Sequence, residues 1–221
     1  MPSPAVYRSP QGLASATTAL FALHGAAALG SAAVLLAQYA AGGSSSAEAD
    51  WLATVVGSVE YLLFLGSAAV FLPWMYRVRV NAEVIYPHGQ QRARVLAVVG
   101  WFIPFAGIWF PWRVANDVWR ASAPAGEHGV PQPVPARAGH VWWVSLMLSW
   151  LLFFLGTESL GSEASLHYAD SRREALGILV AGELLTLAAM VSGLLMVRRL
   201  TAMQEAHAAR ARAAWAPPVT A

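Results

Sequence analysis

Three glutamates lie inside apolar stretches that are long enough to cross a lipid bilayer: Glu60, Glu158 and Glu183. A charged side chain within the hydrocarbon costs several kcal/mol, so ionisable residues at that depth are candidates for function. At about 1.5 Å per helical residue, Glu60 lies roughly 14 Å and Glu183 roughly 11 Å from the same membrane surface, with Glu158 closer to it. The sequence therefore predicts carboxyl groups that converge in one leaflet and form a polar pocket.

Small and apolar residues accompany two of these glutamates at helical spacing. The residues recur at i, i+3, i+7 and i+10, which places each set on one face of its helix. The first set is Gly57, Glu60, Phe64 and Ser67, and the second is Glu183, Thr186, Met190 and Gly193. His24, midway along another apolar stretch, is a candidate hydrogen-bond partner or proton relay; a satisfied contact between helices is the alternative.

Aromatic side chains are the second chemical feature, because the chain has ten tryptophans and eight phenylalanines. A desolvated aromatic face stabilises a cation by up to about 2 kcal/mol. Many of these tryptophans are also typical of the aromatic belts at membrane surfaces. The residues expected to line a substrate cavity are His24, Phe64, Trp101, Phe105, Trp109, Trp112, Trp150, Phe154 and Glu158.

Acids beside aromatic rings favour carbocation chemistry. A carboxylic acid buried away from water keeps its proton and can donate it. Protonation of an alkene or epoxide in a prenyl chain starts a cyclisation that needs no metal, cofactor or thiol. We therefore expect a terpene cyclase-like membrane enzyme acting on a lipophilic isoprenoid. Glu60 is the first-choice proton donor, with Glu183 or Asp117 in reserve.

Two other classes of function stay open. In a scaffold or partner subunit without catalytic activity, the glutamates serve as hydrogen bonds between helices or subunits. In a small proton-coupled carrier, Glu60 and Glu183 lie on the path of the proton, and a carrier of this size would require a homodimer.

The composition excludes several kinds of protein. The chain is 57% hydrophobic and 12% charged, whereas soluble domains carry about 25% charged residues. It has no cysteine, which excludes disulfides and thiolate metal sites. Neither a P-loop nor a dinucleotide fingerprint is present, nor a metalloprotease motif. The scattered arginines do not form a nucleic-acid-binding patch, and the widely spaced histidines do not suggest a metal site.

Apolar stretches predict an all-α integral membrane protein with a single domain. A spanning helix needs about 20 mainly apolar residues. Four stretches qualify: 13–39, 51–72, 141–161 and 176–197. A fifth, within the segment 95–120, is broken by Pro104 and Pro111 and is expected to be re-entrant or interfacial. The segment 123–140 is expected to be a linker, and 198–221 a basic tail.

Arginine placement predicts the orientation, since arginine-rich loops stay in the cytoplasm. The loop between the first two stretches has no arginine, whereas Arg77, Arg79, Arg92 and Arg94 follow the second. With four spans only Arg172 and Arg173 lie outside, so both termini are expected in the cytoplasm. Five spans, the runner-up, would move Arg113, Arg120 and Arg137 outside.

The stretch "FLPWMYRVRVNAEV" from Phe71 marks the end of the second apolar run. Its helix is expected to continue past Pro73, with Arg77 and Arg79 reaching the headgroups. Arg77 and Asn81 share a helical face and are expected to tie this end to the broken segment.

This stretch and "VVGWFIPFAGIWFPWRVANDVWRAS" carry a resemblance to a known family. The matching residues are Trp74, Arg77, Asn81, Trp101, Phe102, Pro104, Trp109, Pro111, Asp117, Trp119, Arg120, Ala121 and Ser122. The region from about Val70 to Ser122 resembles an uncharacterised family of actinobacterial membrane proteins, domain of unknown function 4328. Asp117 stands where that family's pattern has glutamate. The resemblance implies a multi-helix membrane protein and supplies no activity.

Asp117 has a second interpretation besides that of a reserve acid. The spacing of Arg113 and Asp117 is i,i+4, which is typical of a local ion pair on a helix.

Overall fold

The chain folds into helices joined by short turns. A computed structural model describes residues 5–44, 46–90, 92–126 and 130–215, and these ranges contain no strand. The helices are α1 (Gln11–Ala40), α2 (Ala47–Ile85), α3 (Leu96–Val99), α4 (Phe110–Ala121), α5 (Arg137–Leu160), α6 (Glu163–His167) and α7 (Ala169–Trp215). Four of them, α1, α2, α5 and α7, are long and apolar enough to cross a membrane. The predicted all-α class and the count of four such helices are confirmed.

Two of the long helices extend far beyond their predicted spans. Helix α2 continues through Pro73 to Ile85, and α7 continues to Trp215. Hydropathy detects only the apolar part of a helix, so the polar ends were left out of the predicted ranges. The final residues of the predicted tail, 216–221, lie outside the described part of the chain.

The proline-containing segment does not form a continuous helix. Four-residue α3 is followed by a 3₁₀ turn at Ala106–Ile108 and then by twelve-residue α4. Phe105, next to Pro104, has a φ of 61°, a left-handed conformation that strains any residue with a side chain. Since crossing a bilayer takes about 20 helical residues, none of these pieces is long enough.

The linker is shorter than the predicted 123–140. Helix α5 begins at Arg137, so the last four residues of that range are helical. A single bridge pairs Ala125 with Pro131, and residues 127–129 between them are outside the described part.

The contacts divide the chain into two compact units. The network unit contains the described residues of 1–18, 69–136 and 196–221. The cavity unit contains 19–68 and 137–195. Helices α1, α2 and α7 contribute residues to both units.

A buried polar network organises the network unit. The side-chain nitrogen of Asn81 donates to the carbonyl of Arg8 at 2.8 Å and to Oε1 of Gln204 at 3.0 Å, while its oxygen accepts from the Arg8 amide at 3.0 Å. Gln204 in turn donates to the Val78 carbonyl and to the Ser122 hydroxyl. Trp74 donates to the hydroxyl of Thr201 at 3.2 Å. Because buried polar groups need partners, these bonds fix how the chain segments pack.

The predicted roles of the residues around Asn81 need correction. Arg77 donates to the Ser9 carbonyl, so Arg77 and Asn81 hold the N-terminal segment and not the broken segment. Arg79 does not reach outward, since it is 1% exposed and pairs with Glu83 at 2.9 Å. An arginine this deep requires a paired carboxylate, which its i,i+4 neighbour supplies.

The N-terminal segment is also held to α7 by a carboxylate. Ser9 and Tyr7 both donate to Oε1 of Glu205, at 2.6 and 3.2 Å. Burial, and then the Glu205 charge, raises the pKa of Tyr7 well above its usual value, so its hydroxyl remains a donor.

Close packing in the cavity unit depends on small residues. A Cβ on Gly193 would lie 2.7 Å from the Trp142 ring and 2.9 Å from the Phe21 ring, so only glycine fits between them. Gly43, with a φ of 77°, makes the turn between α1 and α2, where its Cα approaches the backbone of Ala169. These contacts hold the four long helical stretches of this unit together.

Candidate functional site

Glu60 lies at the centre of a polar cluster in the cavity unit. Its Oε2 accepts a hydrogen bond of 2.6 Å from the Ser31 hydroxyl. Its Oε1 lies 3.7 Å from Nε2 of His24. Ser31 and His24 are seven residues apart on α1, so two helical turns bring both onto the face that meets α2.

Glu183 completes the cluster from α7. Its carboxyl group contacts that of Glu60. The residue is 9% exposed, and its Oε2 is buried with no hydrogen-bond partner among the described residues. Two carboxyl groups this close disfavour double ionisation, so the pair is suited to share a proton. The predicted convergence of Glu60 and Glu183 is present.

A cavity of about 350 Å³ lies beside this carboxyl pair. Its lining residues all belong to the cavity unit: His24, Gly57, Glu60, Tyr61, Phe64, Leu146, Ser149, Trp150, Phe153, Leu179, Gly182, Glu183, Thr186 and Met190. Phe64 and Trp150 meet edge to face with centroids 6.1 Å apart, and Tyr61 stacks on Phe64 at 6.5 Å. Much of the remaining wall is therefore aromatic and aliphatic.

The serine and threonine hydroxyl groups of the cavity already donate to backbone carbonyls. Ser149 donates to the Leu146 carbonyl at 2.9 Å, and Thr186 donates to the Gly182 carbonyl at 3.1 Å. Such bonds to the preceding helical turn leave little capacity for a guest. The carboxyl pair, His24 and the Tyr61 hydroxyl are the other polar side-chain groups of the cavity lining.

Most of the chain matches a known protein family. The sequence profile of the family described as domain of unknown function (DUF4328) matches residues 37–202. The chain belongs to this family. No curated protein and no solved structure shows a significant match. The DUF4328 match includes both Glu60 and Glu183, whereas His24 and Ser31 precede it.

The DUF4328 residues named from the motif have structural contacts in the network unit. Trp74, Arg77 and Asn81 bond to Thr201, Ser9 and Arg8, respectively. Trp119 is buried and donates to the Val134 carbonyl at 3.0 Å. Pro111 lies in the first turn of α4, where a missing amide proton costs nothing.

Asp117, the reserve acid, is placed differently from both predictions. Its carboxylate pairs with Arg92, not with Arg113. It belongs to the network unit, and every residue lining the cavity comes from the other unit. Asp117 therefore does not line the cavity that holds Glu60 and Glu183.

Several other predicted lining residues do not line the cavity. Trp101, Phe105, Trp109 and Trp112 belong to the network unit. Phe154 and Glu158 lie on α5 with exposed side chains and are absent from the lining. Phe153 lines the cavity instead of Phe154, because successive residues on a helix point about 100° apart.

Ser31 is the polar partner of Glu60 that the sequence prediction missed. Its spacing of seven from His24 was the available signal, since i and i+7 share a helical face. Within the described residues, no group of three or more His, Asp or Glu side chains is arranged to hold a metal ion.

Proposed function

We propose that the chain is a multi-pass protein of the cell membrane with four spanning helices and both termini in the cytoplasm. Four sufficiently long apolar helices and the arginine distribution support this. With four spans, all but Arg172 and Arg173 of the 14 arginines lie on the cytoplasmic side.

Cysteine labelling tests this topology, because the natural chain contains no cysteine. Single variants Ser44→Cys and Leu166→Cys are expected to react with a membrane-impermeant maleimide in intact cells. Val130→Cys and Ala209→Cys are expected to react only after the cells are opened. Labelling of either of the last two in intact cells would contradict the proposed orientation.

We further propose that the cavity unit is an acid catalyst for a lipophilic prenyl substrate, with cyclisation as the reaction. The contact between two carboxyl groups on the wall of an aromatic cavity is the observation that carries this proposal. Ligand pockets range from about 300 to 1,000 Å³, so a cavity of about 350 Å³ favours a short prenyl chain.

Glu183, and not the first-choice Glu60, is the better proton donor. Oε2 of Glu60 already accepts a hydrogen bond from the Ser31 hydroxyl, and its Oε1 lies 3.7 Å from Nε2 of His24. Oε2 of Glu183 has no hydrogen-bond partner among the described residues, and Glu183 lies on the cavity wall. Glu60 and His24 then act as positioning residues that hold the shared proton on Glu183.

The proposed reaction is balanced without a co-reactant. The Glu183 carboxyl transfers its proton to a terminal alkene carbon, and the neighbouring carbon becomes a cation. A second double bond attacks that cation, which forms the ring. Loss of a proton from the resulting cation to water restores neutrality, and the Phe64 and Trp150 rings stabilise the intermediates.

Deuterium incorporation tests the reaction directly. Purified protein in lipid nanodiscs is incubated in D₂O with geranyl and farnesyl acetates, and products are analysed by gas chromatography and mass spectrometry. A cyclic isomer carrying one new carbon-bound deuterium is the expected product. Gly57→Leu, which fills the cavity wall, is expected to reduce turnover about tenfold or more.

A matched control uses another open glycine, Gly30. A Cβ at Gly57 or at Gly30 meets no atom within 4 Å, so both leucine variants are expected to fold. Gly30 is exposed and does not line the cavity, so Gly30→Leu keeps full turnover. Equal turnover in both variants, or no deuterated product from any substrate, would count against the proposal.

A further inference from the structure

A second cavity of about 330 Å³ adjoins the first within the cavity unit. The two cavities share Gly57, Phe153, Leu179 and Glu183 in their walls. The second cavity differs in its polar lining, which consists of Ser31, Gln38, Asp50, Thr54, Thr157 and Arg172 together with Glu183. A cavity of this size with several polar partners is suited to hold water molecules.

Ser31 and Glu183 connect this polar cavity to the catalytic pair. Ser31 lines the second cavity, and its hydroxyl donates to Glu60, which lines the first. Glu183 lines both. A hydroxyl that donates to a carboxylate and faces water can pass a proton from that water to the carboxylate.

The far end of the second cavity carries charged side chains. Arg172 pairs with Asp50 at 2.6 Å, and its other contact is Oε1 of Gln38 at 3.4 Å. The Asp50 side chain is 43% exposed, so this end reaches solvent. Nε of Arg172 is buried without a partner in the described part of the chain, which leaves one donor directed to a water.

We propose that the second cavity is a water-filled proton path that leads from Asp50 and Arg172, through Ser31, to the Glu60–Glu183 pair. The inference rests on the proposed function, because a catalytic acid that gives its proton to a substrate must be reprotonated before the next turnover. The step is a proton transfer only: Ser31 donates its hydroxyl proton to the Glu60 carboxylate, a hydronium ion in the second cavity returns a proton to Ser31 and becomes water, and Glu60 passes its proton to the deprotonated Glu183.

Infrared spectroscopy tests the path without any substrate. Protein in nanodiscs is switched from H₂O to D₂O, and the shift of the protonated carboxyl band is followed in time. Glu183→Gln identifies the band by removing it. Ser31→Ala is expected to slow the exchange by about 100-fold, the lower end of what a positioned proton-transfer group contributes. Ser31→Thr keeps a hydroxyl and is expected to restore the rate.

Two further variants keep the test decisive. Ser58→Ala removes an exposed hydroxyl that bonds only to the Thr54 carbonyl, and it is expected to exchange as fast as the natural protein. Thr54→Trp fills the second cavity and is expected to slow exchange even if Ser31→Ala does not fold. Natural exchange rates in both Ser31→Ala and Thr54→Trp would overturn the path, as would the absence of any band that Glu183→Gln removes. Slow exchange without cyclase activity would support the path and count against the enzyme alone.

Discussion

Glu183→Gln is expected to reduce cyclase turnover by about 100-fold to 10,000-fold, the contribution of a positioned general acid. Glutamine has nearly the same shape and can still bond to Glu60, so the variant is expected to fold. The glutamine side chain has no acidic proton. Among the described residues that line the cavity, Glu60 is then the remaining carboxylic acid. The measurement is the initial rate of product formation in nanodiscs, with thermal unfolding as the check on folding.

The same substitution distinguishes the three classes of function. Glu158→Gln is the matched control, because Glu158 is exposed and does not line the cavity. A cyclase loses turnover in Glu183→Gln alone. A carrier loses proton coupling in Glu183→Gln but still binds its substrate. A scaffold tolerates both changes, so equal behaviour of the two variants in every assay would refute an acid role for Glu183.

Asn81→Leu is expected to destabilise the network unit by about 3 kcal/mol or more, because it removes three hydrogen bonds and strands buried partners. Asn81 is fully buried and bonds to both backbone groups of Arg8 and to Gln204. Leucine has a similar volume, so the loss of stability comes mainly from the Gln204 side-chain oxygen, which stays buried without its hydrogen-bond donor. The measurement is the midpoint of thermal unfolding in detergent, which should fall by several degrees.

Arg77→Ala provides the comparison for Asn81→Leu. Arg77 makes one exposed bond of 3.3 Å to the Ser9 carbonyl. Exposed interactions of this kind contribute at most about 1 kcal/mol. If both variants unfolded at the same temperature, the buried network would not be the source of stability, and the DUF4328 motif would need another explanation.

The contacts of Asn81 give the motif a structural meaning. Residues 73 and 123 positions away in the chain meet at this one side chain. The motif residues Trp74 and Asn81 therefore hold the network unit together, whereas the candidate chemistry lies in the cavity unit. In this chain the motif residues Trp74 and Asn81 thus have structural partners, and they do not line the cavity proposed for the reaction.

The sequence by itself determined the helical class and the four long apolar helices. It also determined which neighbouring residues lie on the same helix face as Glu60 and which lie on the same helix face as Glu183. Helix length and periodicity are local properties, so a single stretch such as Gly57–Glu60–Phe64 is enough to reveal them. The position of each glutamate along its own helix follows from counting residues.

Only the tertiary structure determined which of these helix faces meet and with which residue each polar side chain pairs. Asp117 pairs with Arg92 although Arg113 is its helical neighbour, and Phe153 lines the cavity while Phe154 points away. Trp101 and Trp109 were expected at the cavity because they are aromatic, but aromatic character does not specify a position in space. Partner choice depends on how helices distant in the chain rotate and pack against one another, and no local pattern encodes that rotation.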